Sequence, residues 1–273
     1  MGRRFYKMTG SGNDFVFLDG REPGTAAFER AGAIQALCAR GTGIGADGLV
    51  VLEPGGDEAD IRMRYYNSDG SRAEMCGNAT LCSSNLAVRL GMVEPSGFTI
   101  ATDSGVLSAR IRDGLPEFDA PLVSDAAPAW AGEPTQGDEI RLGYATVGNP
   151  HVVVRVPDVE RADVAGRGRT LRHAPALPRG ANVNFVSRAE DGGWRIRTFE
   201  RGVEGETLAC GTGSVATAVM LASWGEDSDD VALQTRSGRM LRIRLRRDGE
   251  TWIPSLSGEG RLVFEGELRE LDL

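Results

Sequence analysis

Glu74-Met75-Cys76-Gly77-Asn78 and Leu208-Ala209-Cys210-Gly211-Thr212 are two versions of one short motif, half a chain apart. The match extends outward. Gly12-Asn13 precedes the apolar run Phe15 to Leu18, much as Gly148-Asn149 precedes Val152 to Val154. Gly12 lies 64 positions before Cys76, and Gly148 lies 62 before Cys210. Two coincidences in the same order at nearly the same separation argue for a duplicated unit, and the period is far too long for a solenoid. The chain is therefore read as two pseudo-equivalent domains, a comfortable fit for 273 residues.

Alternation dominates the rest. Ile61-Arg62-Met63-Arg64-Tyr65-Tyr66 and Leu241-Arg242-Ile243-Arg244-Leu245-Arg246 read as half-buried strands, with turns at Ser68-Asp69-Gly70, Asp191-Gly192-Gly193, Ser237-Gly238 and Asp248-Gly249. Hairpins and mostly antiparallel sheet are expected. Three helices stand out: Ala26 to Arg40, Asn78 to Leu90 and Gly211 to Trp224, each followed by a glycine. The last two begin at the repeated motif and are apolar on most faces, which marks buried helices. The expected fold is α+β, each domain a mostly antiparallel sheet wrapped around one central helix with a cysteine at its mouth. The Pro- and Asp-rich stretch Leu115 to Pro134 is the natural boundary. It places residues 1–118 with a C-terminal strand at 262–273 in one domain and 119–261 in the other, with an active site expected in the cleft between them.

Composition narrows the function classes. A net charge of -8 with no basic run argues against nucleic acid as a partner. Lys7 is the only lysine. Beside the amino terminus it is a poor candidate for the Schiff base that pyridoxal phosphate chemistry requires. Arg3-Arg4 is not followed by an apolar stretch, Tyr6 stands where a myristoylation signal needs Ser or Thr, and no run has transmembrane length. Reduced thiols in the cytoplasm, no membrane association and no metal are expected. None of the four cysteines forms a Cys-x-x-Cys pair.

A cysteine at a helix amino terminus sits beside unpaired NH groups and the positive end of the dipole, which stabilise a thiolate. The glycine that follows lets a ligand approach the backbone, and the exposed NH groups suit a carboxylate. Cys76 and Cys210 thus read as two bases flanking one α-carbon. One as thiolate removes the proton and the other as thiol returns one to the opposite face. Cys38 and Cys82 read as small core residues. A thiol hydrolase would pair one cysteine with a histidine, and only His151 and His173 are available. His173 reads as a solvated loop residue, whereas His151 could approach the site. The glycine-rich Gly41 to Gly48 follows a helix and precedes a strand, the reverse of a dinucleotide loop, and is read as a turn bringing backbone near the ligand.

Taken together, Thr9 to Phe15, Gly43 to Gly48, Asn67 to Ser71 leading to Cys76-Gly77-Asn78, Gly148 to His151, Asn182 to Phe185, Glu200-Arg201-Gly202 and Ala209 to Gly213 resemble, in order, the motifs of the diaminopimelate epimerases. The resemblance covers nearly the whole chain. It implies a cofactor-independent homodimeric epimerase that interconverts LL- and meso-diaminopimelate in lysine and peptidoglycan precursor synthesis. Cys76 and Cys210 would be the acid/base pair. Asn13, Gly77, Asn78, Gly211 and Thr212 would hold the reacting end of the substrate, and Asn67, Asn149, Asn182, Glu200 and Arg201 would surround the distal end. Glu can pair with an ammonium and Arg can grip a carboxylate bidentately, as a substrate with two amino-acid ends requires. The chain departs from the family pattern at Ala79-Thr80-Leu81, at Ser214-Val215 and by one extra residue at Glu204.

Two other readings compete. One is a cofactor-independent racemase or isomerase of another acid on the same fold, such as a proline- or histidine-racemase-like enzyme, for which Glu200 and Arg201 would be left unpaired. The other is a non-catalytic amino-acid-binding protein, which predicts the loss of at least one cysteine.

Overall fold

The structure is a computed structural model describing residues 2–268. The chain divides into two compact units, Met1–Phe118 with Gly258–Leu273, and Asp119–Ser257. The first contains β1 (Arg3–Gly10), β2 (Asn13–Asp19), α1 (Ala31–Cys38), β3 (Gly48–Pro54), β4 (Ile61–Asn67), β5 (Arg72–Ala73), α2 (Gly77–Arg89), β6 (Phe98–Thr102) and β7 (Gly105–Arg112), and β8 (Leu115–Asp119) ends at the boundary. The second contains β9 (Ala126–Ala127), β10 (Arg141–Val147), β11 (Asn149–Arg155), α3 (Val164–Arg172), β12 (Asn182–Arg188), β13 (Trp194–Glu200), β14 (Gly205–Thr207), α4 (Gly211–Ser223), β15 (Asp230–Gln234), β16 (Met240–Asp248) and β17 (Thr251–Gly258). β18 (Arg261–Leu268) returns to the first unit and pairs antiparallel with β1. The remainder of the expected C-terminal strand, 269–273, lies outside the described residues.

The two units repeat one topology. In the first, β1 and β2 are antiparallel, β2 crosses over through α1 to a parallel β3, and β3, β4 and β5 run antiparallel. β4 then crosses through α2 to a parallel β6, which turns back into β7. In the second, β10 to β16 repeat these steps with α3 and α4 as the crossovers. Even the burial pattern recurs. In β4 the side chains of Ile61, Met63 and Tyr65 point inward between half-buried arginines, and in β13 those of Trp194, Ile196 and Thr198 do the same.

The continuous apolar runs mark strands covered on both faces. Val16 and Leu18 of β2 pack with Ile34 and Leu37 of α1. Val152 and Val154 of β11, with Val183 and Phe185 of β12, pack on Val164 and Leu171 of α3. The opposite face meets the central helix: α4 lies against β10, β11, β12 and β16, and α2 against β1, β3, β4, β7 and β18. Gly213 to Leu221 of α4 are all buried, as its apolar, small-residue sequence requires.

One helix expectation is corrected, and one helix is not anticipated. Ala26 to Arg40 is not one helix but a 3₁₀ turn at Thr25–Glu29 followed by α1, broken where Arg30 adopts an extended backbone (φ -75°, ψ 142°). Glu29 is held there by Arg64 (2.7 Å) and the Tyr66 hydroxyl (2.5 Å). Helix α3 is not foreshadowed by the sequence pattern, because Gly166, Gly168 and its arginines mask the period. Asp163 caps it at the Gly166 NH (2.9 Å), and Gly168 is small enough to sit on Phe199. His173 is therefore the exposed C-cap of a helix rather than a loop residue.

Candidate active site

Both motif cysteines are N-cap residues with extended backbones, Cys76 of α2 (φ -137°, ψ 121°) and Cys210 of α4 (φ -129°, ψ 112°). In each the Cys carbonyl accepts the first helical bond, from Thr80 N at 2.9 Å and Ser214 N at 3.0 Å. The hydroxyls of Thr80 and Ser214 donate to the same carbonyls (3.0 and 2.9 Å). Thr80 and Ser214, both at departures from the family pattern, thus share one local device. None of the four cysteines is in a disulfide; Cys38 and Cys82 are buried and burial pushes both thiols up, Cys38 to about 11.

In the first unit, Asn13 opens β2 after the Ser11-Gly12 turn, where both residues have positive φ (51° and 112°). Gly10 leaves room for α2: a Cβ there would lie 2.9 Å from the Asn78 carbonyl. The amide directions in this corner follow from chemistry. Asp47 can only accept, so Asn13 turns its Nδ2 to Asp47 Oδ2 (2.9 Å) and its Oδ1 to Asn78 Nδ2 (2.7 Å). Asn78 Oδ1 remains buried without a protein partner among the described residues. Asp47 is itself fixed by Arg40 (2.8 Å), which also grips Asp14 (2.6 Å), and Lys7 reaches Asp14 at 2.7 Å. Burial alone would raise the Asp14 carboxyl, but Arg40 and Lys7 hold it below its ordinary value. The only lysine is thus structural. The Gly41 to Gly48 segment contributes the Asp47 carboxylate to this corner, and the Gly45 carbonyl accepts from Lys7. Asn67 lies at the end of β4, holding the turn through Ser71 Oγ (3.0 Å); Gly77 is the first residue of α2.

In the second unit, Arg201 gathers the predicted asparagines. Its Nη2 donates to Asn149 Oδ1 (2.5 Å), and its backbone NH donates to Asn182 Oδ1 (2.8 Å). Glu200 stands elsewhere. The Thr207 hydroxyl donates to its Oε1 (2.6 Å), and its charge acts on the Cys210 thiol rather than on the Arg201 cluster. Cys210 keeps some accessible surface yet is densely surrounded. Burial, then the Glu200 charge, push its thiol far above the usual range, and the Thr212 hydroxyl at 3.6 Å and the Gly213 NH offset only part of this. Burial also raises Glu200, against the hydrogen bond from Thr207. Burial and the Glu200 charge thus act on Cys210 against the helix start, which on its own favours the thiolate. Gly211 is the first residue of α4, beside Leu256.

Sequence reasoning misses Asp47 and Asn184. Asn184 is fully buried, next to the α4 start, where a Cβ on Gly213 would lie 2.1 Å from its Oδ1 and 3.2 Å from Cys210 Sγ. A signal for it exists, since Asn182 and Asn184 are two polar residues with period two flanking Val183 at the start of the strand and so share a face. The extra Glu204 adopts positive φ (57°) in the turn after β13, bonding the Gly202 NH and Arg172 (both 3.0 Å). Among the described residues, no group of three or more His, Cys, Asp or Glu side chains could hold a metal ion, and no helix is long and apolar enough to cross a membrane.

The sequence model of one family, described as diaminopimelate epimerase, matches residues 5–118 and 143–263. A diaminopimelate epimerase of Gemmatimonas aurantiaca is 50% identical over 276 residues, 98% of this chain and 99% of the relative. That of Aquifex aeolicus is 37% identical over 97% and 98%. Among solved structures, a PhzF-family phenazine biosynthesis protein of Bacillus anthracis superposes with a TM-score of 0.73 at 15% identity, covering 99% of this chain and all of the other. A hydroxyproline epimerase of Agrobacterium vitis does so with 0.66 at 18%, covering 98% and 92%. At such identities these likenesses speak for the fold alone.

Proposed function

The chain belongs to the diaminopimelate epimerase family, and from that premise we propose that it interconverts LL- and meso-diaminopimelate by proton transfer between two thiols, Cys76 and Cys210, without a cofactor. The observation that carries this reading is the equivalence of the two cysteines: each is the N-cap of the central helix of its own unit, at the same step of the same topology. In the forward direction one sulfur, as thiolate, takes the α-proton. The C–H electron pair is left on the α-carbon and delocalises into the adjacent carboxylate, whose developing charge suits the unpaired NH groups of the helix starts. The other thiol delivers its proton to the opposite face, becoming the thiolate. Nothing is oxidised or reduced, and the two sulfurs exchange roles when the reaction reverses. Asn13, Gly77, Asn78, Gly211 and Thr212 hold the reacting end; Asn67, Asn149, Asn182 and Arg201 hold the distal end. The product feeds lysine and peptidoglycan precursor synthesis, and four cysteines with no disulfide among them suit a cytoplasmic setting.

Incubation with LL-diaminopimelate in heavy water under reducing conditions tests the proposal. The expected result is deuterium at the α-carbon together with inversion to the meso isomer. No exchange with diaminopimelate, but exchange with proline or histidine, would transfer the chain to another racemase of this fold. Cys76→Ala and Cys210→Ala are each expected to abolish epimerisation, and Cys82→Ala to leave it largely intact; full turnover by Cys76→Ala would sink the two-thiol mechanism. We further propose a homodimer, because β18 leaves Val263 and Phe264 about half exposed (47% each). Sedimentation should give twice the chain mass, and Phe264→Glu should shift it toward the monomer.

A further inference from the structure

His151 is fully buried on β11, on the face that meets α4, and beside it lies Asn184 of β12. The orientation of the Asn184 amide is dictated by its neighbours. The Val152 carbonyl, 3.1 Å away, can only accept, so the atom facing it is Nδ2. The opposite atom, Oδ1, accepts from the Thr198 hydroxyl at 3.0 Å. The same Nδ2 lies 3.3 Å from His151 Nδ1. A donor facing Nδ1 requires that nitrogen to carry no proton, which leaves the proton of the neutral ring on Nε2. His151 Nε2 is buried and has no partner among the described residues.

We propose that Asn184, held by Val152 and Thr198, is a positioning residue that locks His151 in its neutral Nε2–H tautomer and so keeps one fixed hydrogen-bond donor on the face of β11 that meets α4. An unmade hydrogen bond at a buried donor is costly, and it persists in folded proteins where a ligand supplies the acceptor. A neutral donor that accepts no proton matches an acceptor oxygen, of which a carboxylate oxygen is the class this reaction offers. Burial supports the neutral form, pushing the ring down to about 3, with the Arg201 charge acting in the same direction. With Nδ1 facing the Asn184 amide and the proton on Nε2, the ring presents a donor and no open acceptor nitrogen. Gly213 is part of the device, because any larger residue there would occupy the Oδ1 position of Asn184. The role in catalysis rests on the function proposed above, whereas the tautomer does not.

The chain has two histidines, so ¹⁵N-histidine labelling of the full protein gives two rings, and the variant His173→Gln leaves only His151. Long-range proton–nitrogen spectra are expected to show His151 neutral with its proton on Nε2 throughout about pH 5 to 8. A proton on Nδ1, or a doubly protonated ring in that range, would overturn the proposal. In Asn184→Asp a carboxylate replaces the donor, so the expected ring is Nδ1–H or doubly protonated, and kcat/KM falls about tenfold or more. In Asn184→Ala the expected ring is a mixture of tautomers. Retention of the pure Nε2–H form in either variant would show that Asn184 is not the lock, and the spectrum of the otherwise unchanged chain decides the tautomer even if a variant does not fold. A locked tautomer in a protein that fails to epimerise diaminopimelate would refute the function while leaving the lock standing.

Discussion

A carboxylate against a thiol alters what the Cys210 helix start does. Sequence places Cys210 beside helix NH groups, which favour the thiolate; the fold adds burial and Glu200, which favour the thiol. Neutralising Glu200 removes a like charge that raises Cys210. In Glu200→Gln the pH midpoint for alkylation of Cys210 by iodoacetamide should therefore move to lower pH, although epimerisation falls. A midpoint that stayed put or rose would mean that burial alone sets the thiol. Glu200 illustrates how residue identity is legible in a sequence while residue role is not. The Glu-Arg dipeptide suggests one site, but Glu200 ends β13 and Arg201 begins the turn that follows, so the two side chains part. One side chain binds the Thr207 hydroxyl and acts by its charge on Cys210, and the other reaches Asn149.

At the scale of elements, long apolar helices and alternating strands are readable because their periods are strong, and α3 is not because its glycines serve packing rather than helix propensity. The same tension yields a prediction at Gly213. Glycine inside a helix ordinarily costs about 1 kcal/mol relative to alanine, so Gly213→Ala should stabilise α4 by propensity alone. Here the added Cβ meets the Asn184 amide, which is held by His151, Val152 and Thr198. A net destabilisation of about 1–3 kcal/mol is expected from urea unfolding, as for overpacked cores; a stabilised variant would show that the amide yields. The loop between α1 and β3 makes a parallel case. Asp47→Ala removes the acceptor that orients Asn13 and, through it, Asn78. KM for diaminopimelate should rise about tenfold, whereas Asp47→Asn, which retains an acceptor oxygen, should recover most of that loss. Equal damage from both variants would assign Asp47 to the Arg40 ion pair alone.

Across the whole molecule the duplication decides the fold, since two Cys-Gly motifs and two Gly-Asn motifs at matching separations anticipate two units of one topology. The polar network beneath α4 is where the repeat ends. Strand register puts Phe15, Val50 and Tyr65 of the first unit where the second has His151, Asn184 and Thr198, and this correspondence emerges only once the strands are paired. The asymmetry also offers a handle on stability, because all four tryptophans, Trp130, Trp194, Trp224 and Trp252, lie in the second unit. Their fluorescence follows unfolding of the unit that holds His151. In the folded state the ring titrates at about 3, and in the unfolded chain near its ordinary value of about 6.5. Between those pH values the unfolded chain binds one more proton, so this group lowers stability as pH falls, by about 1.4 kcal/mol per unit. Carboxylates held low in the folded state, such as Glu206 beside Arg197, act with the same sign but are common to both proteins in a comparison with His151→Asn. The stability difference between the two should be flat above about pH 6.5 and should shift in favour of His151→Asn on acidification by up to that slope. A difference that stayed constant down to about pH 4.5 would mean that the folded protein protonates His151 after all, and the buried ring would then have to be read as a cation.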